Sequence, residues 1–391
     1  MSEFLPPAAT WSGQAAVFYR LLEGVDPDAY CLLSRVDFDT ADYRGAPRRL
    51  PATYHHLGGA VTSSPEQARG LERWAIRARR GWSVLRAVVR GVAAVRRERC
   101  GAIVAAPDRV EDLPVAFAVS RVSGARFYPY LFDDYATKWT RPRERGFARL
   151  VEPFLLRRAA GVIVPNEGLG DELRRRHGVR STVVRNACDA STYEHELEEP
   201  PDYTRRPAAI VFTGAVYHAH YDAVRSLLEG IRLLGPEAVA LHLYTASEPA
   251  LLSEHGLSGP IVFHPHAPAP AMPRIQQRAH ILFLPLAFDS PYPEVVRTSA
   301  PAKMAEYLAA ARPILVHAPP DAYISNYFRR HGCGVVVDER DPVAVAQALE
   351  RILGDAELRG RISAAAWERA RTDFHPDRAR AAFADLVGLD R

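Results

Sequence analysis

The sequence predicts an α/β protein of two doubly wound domains, residues 1–200 and 201–391, with the last helix able to return to the first domain. Three observations carry this expectation. At 391 residues the chain exceeds what one ordinary hydrophobic core organises, so two domains are expected. Short apolar runs alternate with helical stretches along the chain, the pattern of parallel strands joined by crossover helices. Between two such series lies 194–202, an acidic, proline-bearing and aperiodic segment that reads as a linker.

The elements follow in order. Only Ser2 to Leu5 precedes the Pro6-Pro7 loop, so either the opening strand is abbreviated or the true start lies elsewhere. Further strands of the first domain are expected near 30–34, 102–105, 127–131, 161–164 and 182–184. Those of the second fall near 210–213, 241–244, 261–263, 281–284, 314–316 and 334–337. Sheets of this kind receive ligands at the carboxyl ends of their strands, which for two such domains means the cleft between them.

Composition excludes several classes. The content is 48% hydrophobic and 25% charged, as in a globular domain protein, and the net charge of +4 is mild. No apolar run approaches the roughly 18–20 residues that span a bilayer. Met1-Ser2-Glu3-Phe4-Leu5-Pro6 lacks the basic flank and apolar core of a signal peptide, so a cytoplasmic protein is expected. The scattered Cys31, Cys100, Cys188 and Cys333 read as reduced core thiols. Asp37-Phe38-Asp39 and Asp26-Pro27-Asp28 match a metal-holding Asp-x-Asp pattern, but both lie in turn-like sequence, and no metal is expected.

The stretch 69–99 concentrates arginine: Arg69, Arg73, Arg77, Arg79, Arg80, Arg86, Arg90, Arg96, Arg97 and Arg99, against Glu72 and Glu98. Trp74, Trp82, Leu85, Val89 and Val92 are roughly helix-spaced through it. Either a helix turns these residues into the core, the reading we favour, or it lies on an anionic membrane or an acidic acceptor. Such a contact would make the protein peripheral to the inner membrane face. No recognition motif accompanies the charge, so nucleic acid is not an expected partner.

Of 50 basic residues only Lys138 and Lys303 are lysines. Lys303 lies in Pro301-Ala302-Lys303-Met304-Ala305-Glu306-Tyr307-Leu308, a loop opening into a short helix closed by Arg312-Pro313. Met304, Tyr307, Leu308 and Ala311 form its buried face, while Lys303 and Glu306, three apart, share the neighbouring one. A compact cation, a helix start and a carboxylate one turn on suit a phosphate with a hydroxylated group beside it. A surface ion pair is the alternative.

The segment from Pro301 to Val316 resembles the donor-binding helix and following strand of family 4 glycosyltransferases of the GT-B fold. Further similarity runs through Gly332-Cys333-Gly334-Val335, Asp341-Pro342, Phe212-Thr213-Gly214, Glu152, Ala159 to Asn166 and Val184 to Asp189. The resemblance implies two Rossmann-like doubly wound domains facing each other across a cleft, the first binding acceptor and the second a nucleotide sugar. It implies transfer of a sugar, with retention and without a metal or other cofactor, from a nucleotide diphosphate donor, UDP- or GDP-linked. The acceptor it implies is a hydroxyl or amine on a polysaccharide, lipid or small natural product. Lys303 would contact the diphosphate, Glu306 the ribose hydroxyls, and Gly13 the substrates from the N-terminal loop Trp11-Ser12-Gly13-Gln14.

The sequence also departs from the family. Where a first glutamate contacts the donor sugar, eight residues before Glu306, stands Thr298; Glu294 would replace it only in a rearranged loop. After Gly214 an arginine and a lysine are missing, which leaves Tyr217 and His218 as hydrogen-bonding candidates. Where many members carry a histidine, Asp133 or Asp134 stands instead; either would orient the acceptor and take its proton, or cap a helix. A sugar-nucleotide epimerase and a non-catalytic sugar-nucleotide or membrane-surface binding protein remain as readings of other classes.

Overall fold

The structure, a computed structural model, describes residues 1–3, 5–7, 13–44, 46–59, 71–194 and 199–389. Phe4, Trp11, Ser12, Arg69 and linker residues 195–198 lie outside the described residues. The chain forms two units, Met1–Arg185 with Ala379–Arg391, and Asn186–Arg378. The division therefore falls before the acidic linker, and the C-terminal residues cluster with the first unit.

The first unit runs α1 (Gly13–Leu22), β1 (Cys31–Ser34), α2 (Ala41–Arg44), β2 (Thr53–His56), α3 (Leu71–Arg97), β3 (Ala102–Ala105), α4 (Asp112–Ser123), β4 (Arg126–Pro129), α5 (Pro142–Arg157), β5 (Val162–Val164), α6 (Glu167–His177) and β6 (Ser181–Val183). All its strand pairings are parallel: β1 with β2, β3 with β4, and β5 with β6, with a bridge from Tyr130 to Ile163. Met1 and Ser2 lie between β1 and β3. Ser2 donates its amide to Leu33 O at 3.1 Å, the Met1 amine donates to Val104 O, and Ala106 N donates to Met1 O at 3.0 Å, so this pair joins β1 to β3. β2 was not expected from the sequence, because Thr53-Tyr54-His55-His56 contains no apolar run.

Helix α3 corrects an expectation. Trp74, Trp82, Leu85 and Val89 are 70, 65, 52 and 59% exposed rather than buried; only Val92 of the five is partly buried against the core. The reason is the character of the opposite face. Ile76, Ser83, Ala87, Gly91 and Ala94 are buried there, and a Cβ on Gly91 would come within 2.8 Å of Val119 on α4. Small residues let α3 approach α4 so closely that its large apolar side chains have no room on that side.

The second unit runs α7 (Ser191–Glu194), β7 (Ala208–Thr213), α8 (Tyr221–Leu234), β8 (Val239–Tyr244), α9 (Pro249–Glu254), β9 (Ile261–His264), α10 (Met272–Gln277), β10 (Ile281–Pro285), α11 (Pro293–Thr298), α12 (Lys303–Ala309), β11 (Ile314–His317), α13 (Tyr323–His331), β12 (Val335–Val337), α14 (Pro342–Gly354) and α15 (Ala356–Thr372); α16 (Pro376–Val387) follows. Its six strands form one parallel sheet in the order β12-β11-β10-β7-β8-β9, with β7 and β10 central. The order reverses beside β7, the topological switch point at which sheets of this class bind ligands. Strands β10 and β11 are buried along their whole length, so they read as continuous apolar runs. No helix among the described residues is long and apolar enough to cross a membrane.

Candidate active site

At the carboxyl end of β7 the chain turns through Gly214, whose φ of +107° favours glycine. The Gly214 amide donates to Tyr244 O at 2.8 Å, which fixes the turn to the end of β8. A Cβ built on Gly214 would lie 3.4 Å from Lys303 Nζ and 3.7 Å from its Cε. The turn and the lysine are thus in near contact, although 89 residues separate them in the sequence.

Lys303 begins α12, whose Met304, Ala305, Tyr307 and Leu308 are buried. Its ammonium stands 3.6 Å from the centroid of the Phe212 ring. It makes no hydrogen bond or ion pair among the described residues, whereas Lys138 Nζ donates to Pro107 O at 2.7 Å. Loss of hydration lowers the Lys303 amine from 10.5 to about 7, an effect that the Glu306 carboxylate partly opposes. A cation in this state gains from an arriving anion, which replaces the water it has lost.

Glu306, half-buried one turn on, is placed by polar residues beneath it. Gln276 Nε2 approaches Glu306 Oε2 and Thr213 Oγ1, both at 3.4 Å, while Gln276 Oε1 accepts from the Tyr193 hydroxyl at 2.7 Å. Thr213 N donates to the Tyr307 hydroxyl at 2.9 Å, which ties the end of β7 to α12. The sequence reading missed Gln276 and Tyr193. The available signal was an adjacent pair, Gln276-Gln277, both fully buried in a short helix.

The loop from Gly214 to α8 adds His220, also missed. It is 4% exposed, and its ring lies 5.5 Å from Phe212 and 4.5 Å from Tyr217. Burial first, then the charge of Lys303 and His218, lower it well below the usual histidine range, so it is neutral at physiological pH. Its Nδ1 has no hydrogen-bond partner among the described residues. Asp222 Oδ2 accepts from Phe288 N at 2.8 Å and Asp289 N at 2.7 Å, and Ala287 N donates to Ala219 O at 2.8 Å. The loop after β10 is thereby held against the loop after β7.

The remaining candidates divide. Tyr217 and His218 are exposed at the rim, with His218 5.4 Å from the Tyr292 ring. Thr298 is buried and donates to Glu294 O in its own helix at 3.1 Å, while Glu294 is half-buried. Gly13, Asp133 and Asp134 belong to the other unit. Gly13 is exposed at the start of α1, whose Phe18 meets Tyr130 and Phe132 edge-on.

Asp134 is 1% exposed, ion-paired to Arg176 at 2.6 Å, and accepts from Ala136 N at 3.0 Å. Burial raises its carboxyl, with Arg176 opposing. Arg176 also approaches Glu152 at 3.3 Å, so Asp134 is engaged inside its own unit; Asp133 beside it is half-buried. Of the Asp-x-Asp triplets, Asp37 accepts from Asp39 N, Asp39 pairs with Arg49 at 3.0 Å, and Asp26 caps the turn Pro27–Ala29.

Comparison with known proteins bears on the second unit's sequence and on the fold of the chain. Residues 207–355, which contain Gly214, Lys303 and Glu306, match the family model Glycosyl transferases group 1. Sucrose-phosphate synthase from Thermosynechococcus elongatus is similar over 96% of this chain and 93% of its own, with a TM-score of 0.66 at 14% identity. Anabaena Alr3699/HepE, solved in complex with UDP and glucose, matches over 96% of each chain with a TM-score of 0.66 at 13% identity. The UDP-forming α,α-trehalose-phosphate synthase from Burkholderia vietnamiensis matches over 83% of this chain and 80% of its own, at 0.58 and 13%. No curated protein matches the chain. Residues 207–355 match the glycosyl transferases group 1 model, and the chain shares the GT-B fold of these solved structures.

Proposed function

We propose that the second unit binds a nucleotide diphosphate sugar, with the diphosphate on Lys303 and the Gly214 turn and the ribose on Glu306, and that the enzyme transfers the sugar with retention to a hydroxyl or amine acceptor. The observation that carries this reading is the desolvated Lys303 ammonium, unpaired among the described residues and set against a glycine turn at the carboxyl edge of the sheet. A structural lysine would have an acceptor, as Lys138 does. UDP is the first donor base to test, because HepE was solved with UDP and glucose.

The chemistry follows from charge. As the glycosidic bond breaks, negative charge grows on the leaving diphosphate. A cation and backbone amides fixed beside it stabilise that state more than the bound donor. Lys303, with its pKa near 7, is poised between its two protonation states, and the diphosphate draws it to the ammonium form. Retention is expected through front-face attack on an oxocarbenium-like ion pair, with the acceptor on the side from which the diphosphate leaves. Lys303 would supply the side-chain charge on the diphosphate without a metal ion, so a chelator should leave transfer unchanged.

Calorimetric titration with UDP, GDP and dTDP and their sugars, in buffers of different ionisation enthalpy at pH 8, tests the site. Productive binding should take up most of a proton as Lys303 becomes charged. Products are then analysed with and without acceptor. Binding without proton uptake would remove the role given to Lys303, and isomerised donor formed without acceptor would replace transfer by epimerisation.

A further inference from the structure

Helix α3 presents two apolar faces, and only one of them serves the core. Trp74, Trp82, Leu85 and Val89 are all more than half exposed. At 100° per residue they fall in a stripe about 80° wide and, at 1.5 Å rise, about 22 Å long. The helix carries eight arginines and one acid, Glu72. Arg77 borders one side of the stripe, and Arg79 and Arg86 the other. None of these three has an acidic partner among the described residues, whereas Arg80 is paired with Glu111 at 2.9 Å. Helix α5, which packs on α4 as α3 does, also exposes large apolar residues: Phe147, Leu150 and Phe154 are 41, 76 and 47% exposed.

We propose that α3 is a docking surface for an anionic lipid bilayer, lying in the plane of the interface with Trp74, Trp82, Leu85 and Val89 in the acyl boundary and the flanking arginines on lipid phosphates. The argument is the combination of parts. Tryptophan beside aliphatic residues suits the boundary between headgroups and chains, and unpaired arginines on both sides supply charge that a bilayer of anionic lipid complements. A second copy of this chain would bring arginine-rich borders together, which like-charge repulsion opposes. The helix is too polar to span a bilayer, so the contact is peripheral. This inference does not depend on the donor site, since the two lie in different units.

The test is flotation of the full chain with vesicles of phosphatidylglycerol and phosphatidylethanolamine, compared with vesicles of phosphatidylcholine alone. The protein should float with the first and not with the second. Trp74→Ser with Trp82→Ser should weaken vesicle binding by about a hundredfold, roughly tenfold for each buried aromatic. Arg77→Gln, Arg79→Gln and Arg86→Gln should each weaken it about fivefold. Because both tryptophans are exposed, the double variant should keep its melting temperature and its affinity for UDP. As a measurement free of substitutions, phosphatidylglycerol carrying brominated chains should quench wild-type tryptophan emission. Equal flotation on both vesicle types, full flotation of the double variant, or absence of quenching would each overturn the proposal. So would a wild-type dimer that the double variant converts to a monomer.

Discussion

Lys303→Met separates a lysine held for a ligand from one held for stability. The two roles predict opposite changes in melting temperature. The folded state lowers the amine from 10.5 to about 7. At about 1.4 kcal/mol per unit, that shift corresponds to a penalty of up to about 5 kcal/mol on the charged form. The side chain is partly open to solvent, so we take about 2 kcal/mol as the working figure. The sign follows from linkage. Below pH 7 folded and unfolded chains both carry the proton, and the fold bears the whole penalty. Between pH 7 and 10.5 the folded protein has lost the proton that the unfolded chain retains, so stability rises with pH until the penalty is gone.

Methionine keeps the stem and removes the charge. The variant should therefore melt about 4–8 °C higher than wild type near pH 6–7, for a unit of this size. The gap should close as pH approaches 10.5. Over the same range the variant should bind UDP roughly ten- to hundredfold more weakly, the cost of one charge-assisted contact. Differential scanning calorimetry across pH and isothermal titration with UDP make the two measurements. A variant that melts lower than wild type would mean that the ammonium is stabilised by the Phe212 ring more than burial penalises it. Unchanged UDP affinity would mean that the diphosphate is not on Lys303.

Two further substitutions probe the surroundings. Gly214→Ala imposes a side chain at φ +107° and should cost about 1–3 kcal/mol of stability, seen as a lower denaturation midpoint, together with weaker UDP binding as the methyl crowds Lys303. Asp134→Asn should cost about 2 kcal/mol, because it strips a carboxylate from the half-buried Arg176, while Asp133→Asn should leave stability within about 0.5 kcal/mol. If instead Asp134→Asn abolishes transfer at unchanged stability, its carboxylate acts on substrate and the structural assignment fails.

Much of the fold was legible in the sequence because buried parallel strands write themselves as short apolar runs. Each of the six strands in the second unit overlaps its expected position, from Ile210 in β7 to Val337 in β12. β2 was invisible because an edge strand of Thr, Tyr and His carries no apolar signal. At the candidate site, Lys303 and Glu306 stand out in the sequence by composition and spacing. His220, Asp222 and Gln276 did not, since their roles arise from loops that only the folded sheet brings together. Helix α3 failed for another reason. Periodicity reports that a helix has an apolar face, but not which face is inside, and a seam of Ser83, Ala87 and Gly91 outcompeted two tryptophans for the core.

The return of residues 379–391 to the first unit has a consequence for synthesis. Phe383 and Val387 line an apolar hollow with Leu5, Phe18 and Ile103, Arg126 donates to Val387 O at 3.2 Å, and Arg380 donates to Arg20 O at 2.8 Å. The second unit is contiguous in sequence and can complete itself as it emerges from the ribosome, whereas the first, although begun earlier, lacks one wall until α16 is made. A fragment ending at Arg378 would contain the whole second unit and a first unit that lacks its C-terminal wall. Fragments that stop at the acidic linker should therefore be the aggregation-prone ones.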